Sequence, residues 1–163
     1  MIAKLVLEGL LLGVLLIIFC CCGLRNGAVG MVFLYDKAVQ ERATTLGLTT
    51  PETIHKRQRI FRGVGIVTYI AYVLLCAYAI NGARGFLAGF LQIFGILSVL
   101  NLVDRFLVDE WWVGHTTAWI IPGTEEFMPY IRRRDKCKKW LFGTVGFACI
   151  SAILAGIMTR ILH

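Results

Sequence analysis

Four stretches of the chain, 5–24, 63–80, 86–103 and 140–159, are apolar almost without interruption. A helix crossing the hydrocarbon core of a bilayer needs about 20 mostly apolar residues. The first stretch carries one charge, Glu8, and the other three carry none; 86–103 is broken only by Gln92, Ser98 and Asn101. In lipid every backbone polar group must be bonded internally, so only helices or closed barrels cross. These runs lack the apolar–polar alternation of a barrel strand. The expected fold is therefore all-α: a polytopic membrane protein with four transmembrane helices in a bundle, interfacial helical segments, and one membrane domain over 1–163. Composition agrees, with 58% hydrophobic and 17% charged residues against about 45–50% and about 25% in soluble domains. That excludes a disordered chain and an ordinary soluble enzyme domain.

Lys4 precedes the first run, and Cys20-Cys21-Cys22-Gly23-Leu24-Arg25 closes it. The run is longer than a signal-peptide core and lacks a small-residue cleavage site, so it is expected to stay as a span. Phe19 before Cys20 does not suit a lipoprotein signal either.

Basic residues orient the spans. Of 17 Lys and Arg, 14 fall in the two long connections, 25–62 and 104–139; only Lys4, Arg84 and Arg160 lie on the other side. The reading is a multi-pass cell-membrane protein with both long loops cytoplasmic and both termini outside with the turn at 81–85. The net charge of +7 then points to membrane lipids as partners, with anionic headgroups at the basic loops. Nucleic acid is not expected, because the charges flank spans and no binding fold fits what remains.

Within the first loop, 26–35 is Gly-rich and apolar, and reads as an extension of the first helix or a segment dipping along the interface. Thr50-Pro51-Glu52 is a helix start, with Thr as cap, Pro at the first position and an acid in the first turn. The basic stretch 54–62 then runs into the second span as a solvated extension. In the second loop Trp111, Trp112 and Trp119 place 108–121 along the interface, and Pro122-Gly123 ends it as a turn. Small residues recur at four-residue spacing: Gly9 and Gly13, Gly23 and Gly27, Gly85 and Gly89, and Ala148, Ala152 and Gly156. Such spacing brings helix backbones close. It serves packing within one bundle or a homodimer face.

The strongest candidate site ends the third span. If the helix persists past 103, Asn101, Asp104, Arg105 and Asp109 share one broad arc, with Arg105 and Asp109 an i, i+4 pair. Polar groups near membrane depth face the bundle interior and often mark function. Asn101, Asp104, Arg105, Asp109 and Trp112 are the expected ligand-binding residues; Asp104, Asp109, Glu110 and His115 are the candidates for acid–base catalysis. A salt-bridge lock that merely ends the span is the competing reading. Asp109, Glu110 and His115 make a poor metal site, since adjacent acids on a helix diverge by about 100° and the chain holds only His55, His115 and His163. Neither metal nor cofactor is implied. Glu8 lies one turn from Lys4 and is expected to pair with it at the outer rim. The six cysteines form no C-x-x-C pair; Cys20–Cys22 and Cys137 are juxtamembrane, where S-acylation occurs in eukaryotic hosts.

Asp104-Arg105, Asp109-Glu110, His115-Thr116 and Ile121-Pro122-Gly123-Thr124-Glu125 together resemble the second loop of small, uncharacterised four-helix bacterial integral membrane proteins, and the span layout is similar along most of the chain. The resemblance implies the fold and carries no activity. The Arg-His-Pro element of isoprenylcysteine-type methyltransferases is missing. Three functions fit. The first is binding or transport of a small molecule, ion or lipid at the third-span cluster. The second is a membrane-embedded enzyme acting on a lipid or other amphipathic substrate. The third is an accessory or anchor subunit for a cytoplasmic partner.

Overall fold

The computed structural model describes residues 2–131 and 133–162, the side chains of 133–137 and 142 excepted. The side-chain roles expected of Arg132, Arg133, Arg134, Lys136 and Cys137 lie outside the described residues. Among those described there are helices and no strands. The helices are α1 (Ile2–Leu24), α2 (Lys37–Thr45), α3 (Pro51–Ile80), α4 (Gly85–His115) and α5 (Arg133–Ile161). All but α2 contain a stretch long and apolar enough to cross a membrane, so the chain has the expected four candidate spans.

Close contacts fix the directions. Cβ atoms at Gly9 and Gly13 would collide with Val99 and Val103, so α1 and α4 run parallel and touch through these glycines. Gly89 of α4 lies near Ala155 of α5 while Gly143 of α5 lies against Asn101, so α5 runs antiparallel to α4. Tyr78 of α3 packs on Gly89, near the start of α4. The helix ends Ile2 and Ile161 thus lie at one end of the bundle, and both long connections at the other. Gly9, Gly13, Gly23 and Gly89 serve packing within the chain, while Gly27, Gly85 and Gly156 face nothing within 4 Å among the described residues.

The bundle has a core at mid-height, where Leu12, Val73, Ile93, Ile96 and Leu100 are buried. Its outer face is apolar and exposed, as at Leu11, Val67, Leu141 and Ile153. That is the inverse of a water-soluble bundle and suits lipid.

The connections differ from expectation. The segment 26–35 does not extend α1. Gly27, at φ 79°, turns the chain back, and the 3₁₀ turn Ala28–Leu34 packs on the end of α1 so closely that a Cβ at Gly30 would meet the carbonyl of Gly23. Helix α3 begins as predicted: the Thr50 hydroxyl accepts the Thr53 N–H at 3.3 Å and Pro51 takes the first position. α4 persists past the span end at 103, to His115. Trp119 is not an exposed anchor: it is 2% exposed, inside a second core with Met31, Val32, Val39 and Ile121. The two long connections thus fold together as a cap on one end of the bundle. Trp111 and Trp140 remain exposed.

Candidate functional site

The helix that carries the expected cluster changes geometry as it leaves the bundle. Through Leu102 it is α-helical; over Val103–Trp112 it is π-helical, with i→i+5 hydrogen bonds such as that from the Val113 N–H to the Val108 carbonyl. Such turns are rare and recur at functional sites.

Arg105 is the hub. Its Nε donates to Asn101 Oδ1 at 3.3 Å, its Nη2 lies 3.1 Å from Asp104 Oδ2, and its Nη1 donates to Asp109 Oδ2. Asp109 Oδ2 also accepts Lys139 Nζ of α5 at 3.2 Å. Asn101 is itself buried against Gly143. Two carboxylates thus meet two cations, and the four charges sum to zero. The Asp109 and Arg105 side chains are largely buried, at 12% and 15% exposure, while Lys139 reaches water at 42%.

The cluster borders a cavity of about 280 Å³ between the bundle and the cap. Its other walls are apolar or aromatic, among them Leu16 and Cys20 of α1, Phe61 of α3, and Tyr35, Trp119 and Tyr130 of the cap. The aromatic wall is held by hydrogen bonds. The Tyr35 hydroxyl donates to the Trp119 carbonyl at 2.5 Å, and the Tyr130 ring meets Tyr35 edge-on at 4.9 Å. Tyr130 Oη in turn lies 2.8 Å from Thr124 Oγ1. Burial pushes the Tyr35 hydroxyl well above the ordinary phenol range, so it is a neutral donor. The Trp119 indole N–H is buried with no hydrogen-bond partner among the described residues.

Of the residues expected at the site, Asp104, Arg105 and Asp109 line the cavity, and Asn101 stands behind them as an anchor. Trp112 does not line it; it packs edge-on against Trp119 at 5.4 Å and supports the wall. Glu110 and His115 do not join the carboxylates at the cavity. The His115 ring bonds the Glu110 carbonyl at 3.0 Å on the exposed side of the helix. Glu110 directly follows Asp109, and neighbouring side chains on a helix point apart. The acid–base set Asp104, Glu110 and His115 is therefore not assembled. Tyr35, Trp119, Tyr130 and Lys139 were not expected at the site. No short-range motif marks them, because the Tyr35–Trp119 bond spans 84 positions.

At the other end of the bundle Glu8 does not pair with Lys4. Lys4 Nζ approaches the Ile80 carbonyl at 3.4 Å, and Glu8, 6% exposed, accepts the Asn81 Nδ2–H at 3.0 Å. Searches against family models, curated proteins and solved structures give no match to this chain.

Proposed function

We propose that this membrane protein binds an amphipathic small molecule or lipid, with its polar head at Asp104, Arg105 and Asp109 and its apolar part against Tyr35, Phe61 and Trp119. The observation that carries this reading is the two-faced cavity: a charged cluster on one side, aromatic and aliphatic walls on the other. Such a mix suits a ligand with one polar and one apolar end. Because the four charges cancel, a head with no net charge, neutral or zwitterionic, enters without leaving an uncompensated buried ion. The unpartnered Trp119 N–H offers a donor to an acceptor on the ligand.

Binding is favoured over transport by the packing of the mid-bundle core, where Leu12, Ile93 and Ile96 are wholly buried between the two ends. The cap faces the cytoplasm in this reading and both termini lie outside, because 14 of the 17 basic residues lie at the capped end.

Native mass spectrometry of the full chain, released from nanodiscs of mixed bacterial phospholipids, tests the binding. One retained lipid or small molecule per chain is expected, depleted in Asp109→Asn and in Trp119→Phe. Equal retention by both variants, or none by the unaltered chain, overturns it. Topology is read separately, with a membrane-impermeant maleimide on intact cells in a background lacking the native cysteines. Arg84→Cys should label and Thr45→Cys should not; the reverse pattern inverts the orientation.

A further inference from the structure

The uncapped end of the bundle carries a second polar group of residues, built from three elements. Glu8 comes from α1, Asn81 from the turn after α3, and Gln92 from α4. The last turn of α3, Leu75–Ile80, is π-helical; it delivers Asn81, whose N–H bonds the Cys76 carbonyl at 2.9 Å. Asn81 Nδ2 donates to Glu8 Oε2 at 3.0 Å, and the Tyr72 hydroxyl donates to the Glu8 carbonyl at 2.9 Å, which holds this stretch of α1 in place. Asn81 and Gln92 line a cavity of about 200 Å³, and Lys4 lies at the same cavity.

The donors and acceptors here do not balance. Glu8 Oε1, Asn81 Oδ1 and Gln92 Oε1 are all buried and all lack a hydrogen-bond partner among the described residues. Glu8 and Gln92 are more than nine-tenths buried. Buried polar atoms are nearly always satisfied, and one left unpaired in an apolar setting is costly. Asn81 and Gln92 line the cavity and Glu8 is hydrogen-bonded to Asn81 beside it, so these unpaired oxygens call for something positive among them. The Lys4 ammonium, at the same cavity, is exposed and is directed to the Ile80 carbonyl instead.

We propose that Glu8, Asn81 and Gln92 bind a hard monovalent cation, such as sodium or potassium, at the uncapped end of the bundle. Hard cations take oxygen ligands, both carboxylate and amide. One carboxylate and two amide oxygens supply one negative charge, which matches one positive charge and falls short of a divalent ion. Lys4 acts at the mouth of the site and is no ligand. This site is separate from the cavity under the cap and does not depend on what binds there.

The test is thermal unfolding of the full chain in detergent micelles, in sodium, potassium or N-methyl-D-glucamine chloride at equal ionic strength. Sodium or potassium should raise the Tm by about 2 °C or more, with saturation. Glu8→Gln and Gln92→Leu should each abolish that rise, while Lys4→Met keeps or enlarges it. If Glu8→Gln does not fold, Gln92→Leu alone carries the comparison. Equal melting of the unaltered chain in all three salts overturns the proposal, as does a rise that survives in Gln92→Leu. Should ion dependence emerge only in Lys4→Met, the Lys4 ammonium is the natural occupant and the proposal fails.

Discussion

The two ends of the bundle both gather polar side chains at a π-helical turn, but they are finished differently. At the capped end the charges satisfy one another: Arg105 spans Asn101, Asp104 and Asp109, and Lys139 completes Asp109. At the uncapped end the acceptors exceed the donors among the described residues, leaving Glu8 Oε1, Asn81 Oδ1 and Gln92 Oε1 unpartnered there. The capped end is thus a closed ion network beside an open cavity; the other is an incomplete shell of oxygens. The same chemical change should therefore act in opposite directions at the two ends.

The largest effect belongs to the closed network. Asp109→Asn removes the charge that both Arg105 and Lys139 contact, and leaves two cations to share Asp104. Removing one partner of a buried pair costs about 3–5 kcal/mol. Lys139 can turn to water and Arg105 keeps Asp104, so a loss of about 2–3 kcal/mol is expected. A melting comparison in sodium-free buffer checks it, and an unchanged Tm would show that the network contributes nothing to holding α4 against α5.

Next comes the aromatic wall. Tyr35→Phe keeps the ring on Tyr130 but leaves the Trp119 carbonyl without the Tyr35 hydroxyl. Loss of one buried hydrogen bond costs about 1 kcal/mol. The cap should loosen before the bundle does. Amide exchange is expected to speed up in Lys37–Thr45 and to stay slow around Ile93; uniform acceleration would mean that cap and bundle unfold as one unit.

Glu8→Gln should go the other way. In N-methyl-D-glucamine buffer free of sodium and potassium it replaces a buried carboxylate, one of whose oxygens lacks a partner among the described residues, with a neutral amide. A gain of about 1 kcal/mol is expected where no cation is supplied. Destabilisation of the same size as in Asp109→Asn would show that Glu8 belongs to a network as closed as the one under the cap.

These contrasts also mark what the sequence could convey. The spans were legible because lipid demands an unbroken apolar run, and the start of α3 because Thr50, Pro51 and Glu52 signal a helix locally. The Arg105–Asp109 pair was legible because both residues sit on one helix, four apart. The cap was not. Its core joins Met31 and Val39 to Trp119 and Ile121 across two spans, and tryptophan in a membrane chain reads first as an interfacial anchor. The Glu8 site was hidden for a related reason. Lys4 is its nearest opposite charge in sequence, while its actual partner, Asn81, is 73 positions away.

The smallest effect concerns the rim of the cap, and it too follows from how each carboxylate is finished. Glu125 is fully exposed, yet its carboxylate accepts the Gly123 N–H at 3.1 Å. Backbone N–H donors, its own first and then that of Gly123, hold its pKa below the usual glutamate value. A group whose pKa is lowered by folding stabilises the fold above its unfolded value, and that contribution is lost as pH falls through the lowered one. The turn at Pro122-Gly123 should therefore hold at neutral pH and loosen only in acid, below the ordinary carboxylate range. Arg42 spans the same turn, donating to the Gly123 carbonyl at 3.3 Å and lying 3.6 Å from Glu126. Protonating Glu125 thus loosens one side of a turn that Arg42 still ties to α2. Amide exchange at Gly123, followed from about pH 6 to about pH 3 and corrected for intrinsic rates, should show the loss of protection, and Glu125→Gln should remove its pH dependence. If Gly123 keeps its pH dependence in that variant, the titration belongs to another group at the rim.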